Sequence, residues 1–211
     1  MIPPRVSLER LAIAGAAGRI DAIVEDPGVA GSAYAVVCHP HPLYGGTMDN
    51  KVVTTLARAL HACAIPTIRF NFRGVGGSEG NHDGGRGESA DAAVVAAWGA
   101  QRWPARQLVV AGFSFGAYVA MRSSGNLPVS RLILIAPPVE RFDFSSIPAP
   151  RVPWLVVQGD ADDVVDPQKV AAWAGAAQPG PALVMLPGVG HFFHGHLQEL
   201  RESVINAIRS G

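Results

Sequence analysis

The sequence predicts an α/β fold, a three-layer sandwich in which a mostly parallel, twisted sheet of about eight strands carries helices on both faces. After an initial hairpin, short β-branched or apolar runs alternate with helical segments, which is typical of a parallel sheet with crossover helices. Hydrophobic residues make up 48% of the chain and charged residues 16%, as in a globular domain with a substantial core. The 211 residues are expected to form one domain over 1–211.

The strands are predicted from apolar or alternating runs that end at Gly, Pro, Asn or Asp. Residues 6–13 and 19–24 flank a turn at 15–18 and form the antiparallel hairpin. The later runs are almost wholly apolar, as expected of strands buried on both faces. These strands are predicted at residues 34–38, 67–72, 107–111, 132–135, 152–158 and 182–186.

The helices are predicted from apolar periodicity and from capping residues. In the first helix the apolar positions that share one face are Val52, Val53, Leu56 and Leu60. Either Asp49 or Asn50 is suited to cap it. Asp166 and Pro167 similarly predict the start of a later helix. The five helices are predicted at residues 49–63, 88–103, 115–124, 166–177 and 193–209.

A Gly-x-Ser-x-Gly motif occupies residues 112–116, between a predicted strand and a predicted helix. In such a turn the serine sits on a strained strand-to-helix corner that exposes its hydroxyl, and a side chain at either glycine would collide with nearby backbone. The motif alone is weak, because the chain has 24 glycines. Its position after a strand and before a helix makes Ser114 a candidate nucleophile.

A serine nucleophile needs a base and an acid that orients the base. In this architecture the acid and then the histidine follow the serine along the chain, each in a loop after a strand. The loop at 159–167 supplies four candidate acids, namely Asp160, Asp162, Asp163 and Asp166. The loop at 187–191 supplies His191 as the candidate base.

Five blocks of sequence carry a resemblance to the α/β-hydrolase superfamily, and more narrowly to its small, cap-less bacterial serine hydrolases. The blocks are CHPHPLYGGTMDNK at 38–51, RFNFRGVGGS at 69–78, AGFSFGA at 111–117, QGDAD at 158–162 and GHFF at 190–193. The resemblance implies the α/β-hydrolase fold with a catalytic triad in which Ser114 is the nucleophile, Asp162 the acid and His191 the base.

The oxyanion hole of such an enzyme needs two hydrogen-bond donors. The resemblance implies the backbone N–H of Phe115 as one donor and an N–H of the loop at 39–43 as the other. Pro40 and Pro42 have no N–H, which leaves His41 or Leu43, and the resemblance favours His41. The family usually has a His-Gly pair here, and Pro40 replaces that glycine.

The segment at 136–152 is rich in proline and too short for a cap domain, so we expect an open, shallow active site. Four apolar side chains near the predicted site are candidates for a substrate pocket. They are Leu43, Tyr44, Phe142 and Phe192.

Several other function classes are disfavoured. Histidine spacings at 39–41 and 191–196 resemble zinc ligands, but zinc chemistry would leave the serine motif unexplained, so neither a metal nor a cofactor is expected. The glycine-rich loop at 73–78 lacks the Lys-Ser/Thr of a phosphate-binding loop, and Arg73 there is expected to clamp a carbonyl or carboxylate. The 17 basic and 17 acidic residues indicate no nucleic-acid surface.

The sequence therefore predicts a serine hydrolase of a small-molecule carboxylic ester or thioester. A peptidase, amidase or acyltransferase that uses the same triad is the alternative, and a non-catalytic binding module is a remote one. The chain shows neither a signal peptide nor an apolar run long enough for a membrane helix, so a cytoplasmic protein without a membrane partner is expected.

Overall fold

An eight-stranded sheet runs through the computed structural model, which describes residues 6–210. The predicted domain over 1–211 also includes residues 1–5 and 211, which lie outside the described residues. The strands are β1 (Ser7–Gly15), β2 (Gly18–Asp26), β3 (Ala33–Cys38), β4 (Thr67–Phe70), β5 (Gln107–Phe113), β6 (Val129–Ile135), β7 (Trp154–Gly159) and β8 (Ala182–Leu186). The helices are α1 (Lys51–His61), α2 (Arg86–Arg102), α3 (Phe115–Ser124), α4 (Pro167–Ala176) and α5 (Leu197–Arg209), with a 3-10 turn at Pro42–Tyr44.

The sheet order is β1-β2-β4-β3-β5-β6-β7-β8. The predicted hairpin forms, with Gly15 opposite Gly18, and β2 also pairs antiparallel with β4. The remaining neighbours pair in parallel. Helices α1 and α5 pack on one face and α2, α3 and α4 on the other, so the predicted three-layer sandwich with a mostly parallel sheet is confirmed.

The core lies in two layers because successive side chains of each strand point to opposite faces. In β3, Val36 packs in the layer beneath α2 and α3, whereas Val37 packs in the layer beneath α1 and α5. All four apolar residues predicted on one face of α1 are buried. Of the two predicted caps, Asn50 performs the role, because its side chain accepts the N–H of Val52.

Several predicted boundaries were wrong by two or more residues, among them the start of β6 at Val129 and of β7 at Trp154. Two of the differences have a local structural cause. Strand β4 ends at Phe70, two residues early, because the N–H of Asn71 donates to Asp21 and that of Phe72 donates to a histidine ring. Helix α5 begins at Leu197 instead of residue 193, because Phe193 has a positive φ of 54° and turns the chain before the helix.

The segment between β6 and β7 contains neither a helix nor a strand. It crosses the end of the sheet as a series of turns, with Phe144 buried against Trp173 and Phe142 packed on Tyr118. The predicted absence of a cap domain is confirmed.

Helix α2 is the longest helix in residues 6–210, at 17 residues. A bilayer-spanning helix needs about 20 mostly apolar residues. None of the helices in the described part of the chain meets that requirement.

We expect Leu56→Ala to lower the free energy of unfolding by about 2–5 kcal/mol, because Leu56 is fully buried between α1 and the sheet and its truncation leaves a cavity. Leu8→Ala is the matched control, since Leu8 is 58% exposed and its loss should change stability by less than about 0.5 kcal/mol. Chemical denaturation of both variants checks this. Equal losses would contradict the two-layer core.

Candidate active site

Ser114 lies at the corner between β5 and α3 with φ 54° and ψ −120°, a backbone conformation that is strained for a residue with a side chain. Its N–H donates to the carbonyl of Ile135 at 2.8 Å, which ties the corner to the end of β6. The predicted strained strand-to-helix turn is confirmed. The strain and this bond hold the hydroxyl above the edge of the sheet.

The two glycines of the motif are required by close backbone approaches. A Cβ on Gly116 would overlap the carbonyl oxygens of Cys38 and His39, and a Cβ on Gly112 would overlap the carbonyl of Gly116. Without side chains there, the first turn of α3 packs directly against the end of β3. The predicted collision is confirmed, and it explains why this corner lies next to the loop that follows β3.

The structure brings Ser114, His191 and Asp162 together in a chain of hydrogen bonds. His191 Nε2 is 3.1 Å from Ser114 Oγ, and His191 Nδ1 is 2.8 Å from Asp162 Oδ2. A carboxylate can only accept at Nδ1, so Nδ1 carries the proton and Nε2 is free to accept from the hydroxyl. The imidazole is therefore oriented as a base toward the serine.

Asp162 is held by three further hydrogen bonds. Its Oδ1 accepts the N–H groups of Val164 and Val165, both at 2.8 Å, and its Oδ2 accepts from Gln158 Nε2 at 2.9 Å. Burial alone would raise the pKa of the Asp162 carboxyl, but the bonds from His191, Val165 and Val164 outweigh burial and hold that pKa below its ordinary value. Asp162 therefore stays ionised at neutral pH.

Gln158 is a polar residue of the site that the sequence analysis did not identify. Its side chain is fully buried at the end of β7, next to the loop that carries Asp162. A glutamine inside an apolar strand, directly before an acidic loop, was the available signal, because a buried amide requires a partner.

The other three acids of this loop have different contacts. Asp160 Oδ1 accepts the N–H of Gly188 at 2.6 Å, which ties the acid loop to the loop of His191. Asp166 caps α4, as predicted, by accepting the N–H groups of Gln168 and Lys169. Asp163 is exposed. Only Asp162 among the four contacts His191.

His39 fixes the start of the loop after β3. Its ring is fully buried, with Nδ1 2.6 Å from the carbonyl of Pro40 and Nε2 accepting the N–H of Phe72 at 2.9 Å. A ring that accepts at Nε2 and donates at Nδ1 is neutral. Burial lowers the pKa of His39 to about 4, against the opposing effect of the bond to Pro40 and with a further small decrease from His41. The predicted bond within the loop is confirmed.

His41 and Leu43 differ in the use of their N–H groups. The N–H of Leu43 donates to His41 Nδ1 at 3.2 Å, as the cap of the 3-10 turn. Among residues 6–210, the N–H groups of His41 and Phe115 donate to no acceptor. Of the two loop donors that remained possible, only His41 thus has an N–H available for a ligand.

A cavity of about 410 Å³ opens beside the serine. Its walls include Pro40, Tyr44, Ser114, Val164, His191 and Phe192. Tyr44 and Phe192 were predicted at the pocket, and both line it. Volumes of 300–1,000 Å³ are common for small-molecule sites.

Leu43 and Phe142, which were also predicted at the pocket, do not line the cavity. Leu43 is 72% exposed, because the 3-10 turn directs its side chain outward. Phe142 packs on Tyr118 and Phe115 instead, with ring centroids 4.8 Å and 5.2 Å apart. The lining residues that the sequence did not indicate include Arg141 and Val164, which come from two different loops.

The zinc-like histidine spacings correspond to other contacts. Both ring nitrogens of His39 are used within the fold, and those of His191 face Asp162 and Ser114. His196 is the N-cap residue of α5 and contacts Glu199. Within residues 6–210, no three His, Cys, Asp or Glu side chains lie close enough together to hold a metal ion.

Arg73 holds in place the loop after β4, which contacts His39. Its Nε and Nη2 donate to the two carboxylate oxygens of Asp91 at 2.8 Å each, which confirms the predicted carboxylate clamp. This pair fixes the loop after β4 to α2. The same loop contributes Phe72, whose N–H holds His39.

Comparisons with known proteins agree with this architecture. An α/β serine hydrolase without a lid from Xanthomonas campestris has a structure that superposes with a TM-score of 0.92, at 44% identity over 100% of this chain and 96% of that one. An α/β serine hydrolase homologue from Coxiella burnetii gives a TM-score of 0.91, at 44% identity over 94% and 96%. An uncharacterised protein of Rickettsia prowazekii is 34% identical over 200 residues, which are 90% of this chain and 84% of that protein. No family model matches the chain.

A serine on a strand-to-helix elbow, beside a histidine at the edge of a mostly parallel sheet, defines the class of α/β serine hydrolases. Within that class, this chain belongs to the family that has no lid.

His39 provides a pH test of the loop geometry. Because its pKa of about 4 in the folded chain lies below the ordinary value of 6.5, the unfolded chain takes up the proton first as the pH falls. The stabilisation from neutral His39 is complete above about pH 6.5 and is lost toward pH 4, by up to about 3 kcal/mol.

We expect the free energy of unfolding of the wild type to decrease between pH 7 and pH 4 more steeply than that of His39→Gln, whose amide does not titrate. Chemical denaturation at several pH values measures both curves. The lowered pKa of His61 contributes to both curves. Parallel curves would show that His39 is not held neutral in the folded protein.

Proposed function

We propose that the protein hydrolyses a carboxylic ester or thioester of a small molecule through an acyl-enzyme on Ser114. The observation that carries this proposal is the continuous hydrogen-bonded chain from Ser114 through His191 to Asp162, at 3.1 Å and 2.8 Å. A serine hydroxyl is a weak nucleophile unless a neighbouring base removes its proton. In this hydrogen-bonded chain, His191 is placed to act as that base.

In the first step His191 Nε2 takes the proton of Ser114 Oγ while Oγ attacks the carbonyl carbon of the ester. The imidazolium that forms is stabilised by Asp162, whose lowered pKa keeps it ionised. His191 then gives the proton to the departing alcohol or thiol, and the acyl group remains on Ser114.

The negative oxygen of the tetrahedral intermediate requires hydrogen-bond donors. We assign the N–H groups of Phe115 and His41 to this role. Neither N–H donates to an acceptor within residues 6–210, and both residues lie next to Ser114 or line its cavity. Removing one oxyanion donor costs about 10²- to 10³-fold in rate in a comparable enzyme.

In the second half of the reaction a water molecule attacks the acyl-enzyme. His191 removes its proton and then returns that proton to Ser114 Oγ as the acid is released. The cavity is open on the outside, and Ser114 is partly exposed, so water reaches the acyl carbon directly. This access favours hydrolysis over transfer of the acyl group to another acceptor.

We expect Ser114→Ala to abolish hydrolysis of 4-nitrophenyl acetate and labelling by a fluorophosphonate probe, because both reactions form a covalent bond to Oγ. Mass spectrometry of the labelled wild type should place the adduct on Ser114. Circular dichroism and thermal unfolding of the variant report whether the fold is retained.

Ser145→Ala is the matched control, since Ser145 is exposed and its hydroxyl donates to Asp143 Oδ1 at 2.6 Å. It should label and hydrolyse as the wild type does. A folded wild type that resists the probe, or a Ser114→Ala variant of full activity, would favour the non-catalytic binding module instead.

A second test separates Asp162 from its neighbour in the same loop. Asp162→Asn should lower kcat by about 10³- to 10⁴-fold, because an amide stabilises the imidazolium poorly and favours the wrong imidazole tautomer. Asp160→Asn should stay near wild type, since its side-chain oxygen can still accept the N–H of Gly188. Steady-state kinetics on the same ester measure both variants. Equal losses in both would remove the specific role of Asp162.

A further inference from the structure

We infer that the cavity selects esters that carry a carboxylate in addition to the scissile bond, and that Arg141 binds that carboxylate. The inference rests on the proposed function, because it names the substrate class of the same site. Arg141 lines the cavity together with Ser114 and His191. Its guanidinium is the only permanently charged group among the lining residues that the structure describes.

Arg141 is exposed, makes one side-chain hydrogen bond and has unused donors. Its Nη2 donates to the carbonyl of Val164 at 2.8 Å, and the N–H of Val164 in turn donates to Asp162. One of five N–H donors is thus used to fix the guanidinium beside the acid loop. Within residues 6–210, no carboxylate lies within ion-pair distance of Arg141.

The acids that flank Arg141 in sequence have other partners. Glu140 pairs with Lys169 at 2.6 Å. Asp143 accepts from the hydroxyl of Ser145 at 2.6 Å and from the N–H of Ser146. The charge of Arg141 is therefore not neutralised by the acids of its own loop. An anionic ligand could accept hydrogen bonds from the unused N–H groups of its planar guanidinium.

The rest of the wall indicates what lies between the ester and the anion. Tyr44, Val164 and Phe192 present carbon surface, and no Asp or Glu occurs among the lining residues within the described chain. A hydrocarbon chain suits these contacts. One cation favours a carboxylate over a phosphate dianion, because a second negative charge would have no partner.

The adjoining groove, which shares Gly45, Asn50 and Phe192 with the cavity, does not offer the same selectivity. It contains Lys51, but it also contains Asp49. Opposite charges there reduce the net attraction for an anion. Arg141 is therefore the group that distinguishes the cavity.

The test compares two isosteric esters, 4-nitrophenyl hydrogen adipate and the 4-nitrophenyl ester of adipamic acid, whose terminal amide is neutral. We expect the wild type to have the higher kcat/KM for the adipate. Arg141→Gln should lower the adipate-to-adipamate ratio by about 5- to 50-fold, as loss of a charge-assisted hydrogen bond does. Arg141→Lys should lower the ratio by less, because it keeps the charge but not the fork.

A second pair places the carboxylate on the leaving group: 3-carboxyphenyl butyrate and 3-carbamoylphenyl butyrate. A change of ratio in this pair alone would assign the carboxylate to the alcohol side of the ester, and a change in the adipate pair alone would assign it to the acyl side. Either result supports the inference. Raising NaCl from about 0.05 M to about 0.5 M should reduce the wild-type preference and leave that of Arg141→Gln unchanged.

Arg151→Gln is the matched control. Arg151 is exposed on the same segment between β6 and β7 and does not line the cavity, so its loss should leave both ratios at the wild-type value. Taking ratios cancels any loss common to both esters, including one caused by the bond to Val164.

Unchanged ratios in Arg141→Gln for both pairs would overturn the inference about Arg141. Such a result would leave the proposed hydrolase function intact, provided that Ser114→Ala still abolishes hydrolysis of the neutral esters. Equal effects of Arg151→Gln and Arg141→Gln would also overturn it, since they would indicate a general effect of net charge.

Discussion

A parallel sheet places the carboxyl ends of its strands along one edge, and the candidate site depends on that constraint. The loop with His41 follows β3, Ser114 follows β5, Asp162 follows β7 and His191 follows β8. Register fixes how closely these loops approach, with Cys38 opposite Gly112 and Gly159 opposite Leu186. Residues separated by as many as 77 positions in sequence are thereby brought within hydrogen-bond distance.

Backbone groups then set the position of each polar side chain. Asp162 is fixed by two N–H groups of its own loop, and His39 by the Pro40 carbonyl and the Phe72 N–H. Gln158 is oriented by the same network, with its Nε2 shared between Asp162 and the carbonyl of Gly159. Its buried Oε1 has no hydrogen-bond partner within residues 6–210, which lowers stability. The Nε2 group of the same amide holds Asp162.

The sequence was sufficient to predict those parts of the site that follow from local rules. The elbow at Ser114 is encoded by two glycines with steric roles, and the order of strands and loops along the chain indicates where an acid and a histidine are expected. The choice of Asp162 needed the resemblance, since four acids share one loop and only three-dimensional distance separates them. The two prolines in the loop after β3 excluded two oxyanion donors. The sequence did not indicate that the N–H of Leu43 donates to the ring of His41.

The pocket was the least predictable part, for a physical reason. Leu43 and Phe142 are both apolar and close in sequence to site residues. The 3-10 turn directs Leu43 toward solvent, and packing on Tyr118 holds Phe142 away from the cavity. Arg141 and Val164 come from irregular segments whose path is set by tertiary contacts, so no periodic pattern indicates them.

The absence of a lid has different consequences for the two halves of the site. His191 is 3% exposed, and the rings of Phe113 and Phe192 each lie 5.1 Å from its ring. His191 and Asp162 are therefore kept away from water by the sheet and by aromatic side chains, without any covering domain. The serine and the cavity remain open. Selectivity in such an open site has to come from contacts on its wall instead of from enclosure. If Arg141 binds substrate as we infer, its charge discriminates between isosteric groups more sharply than apolar surface does.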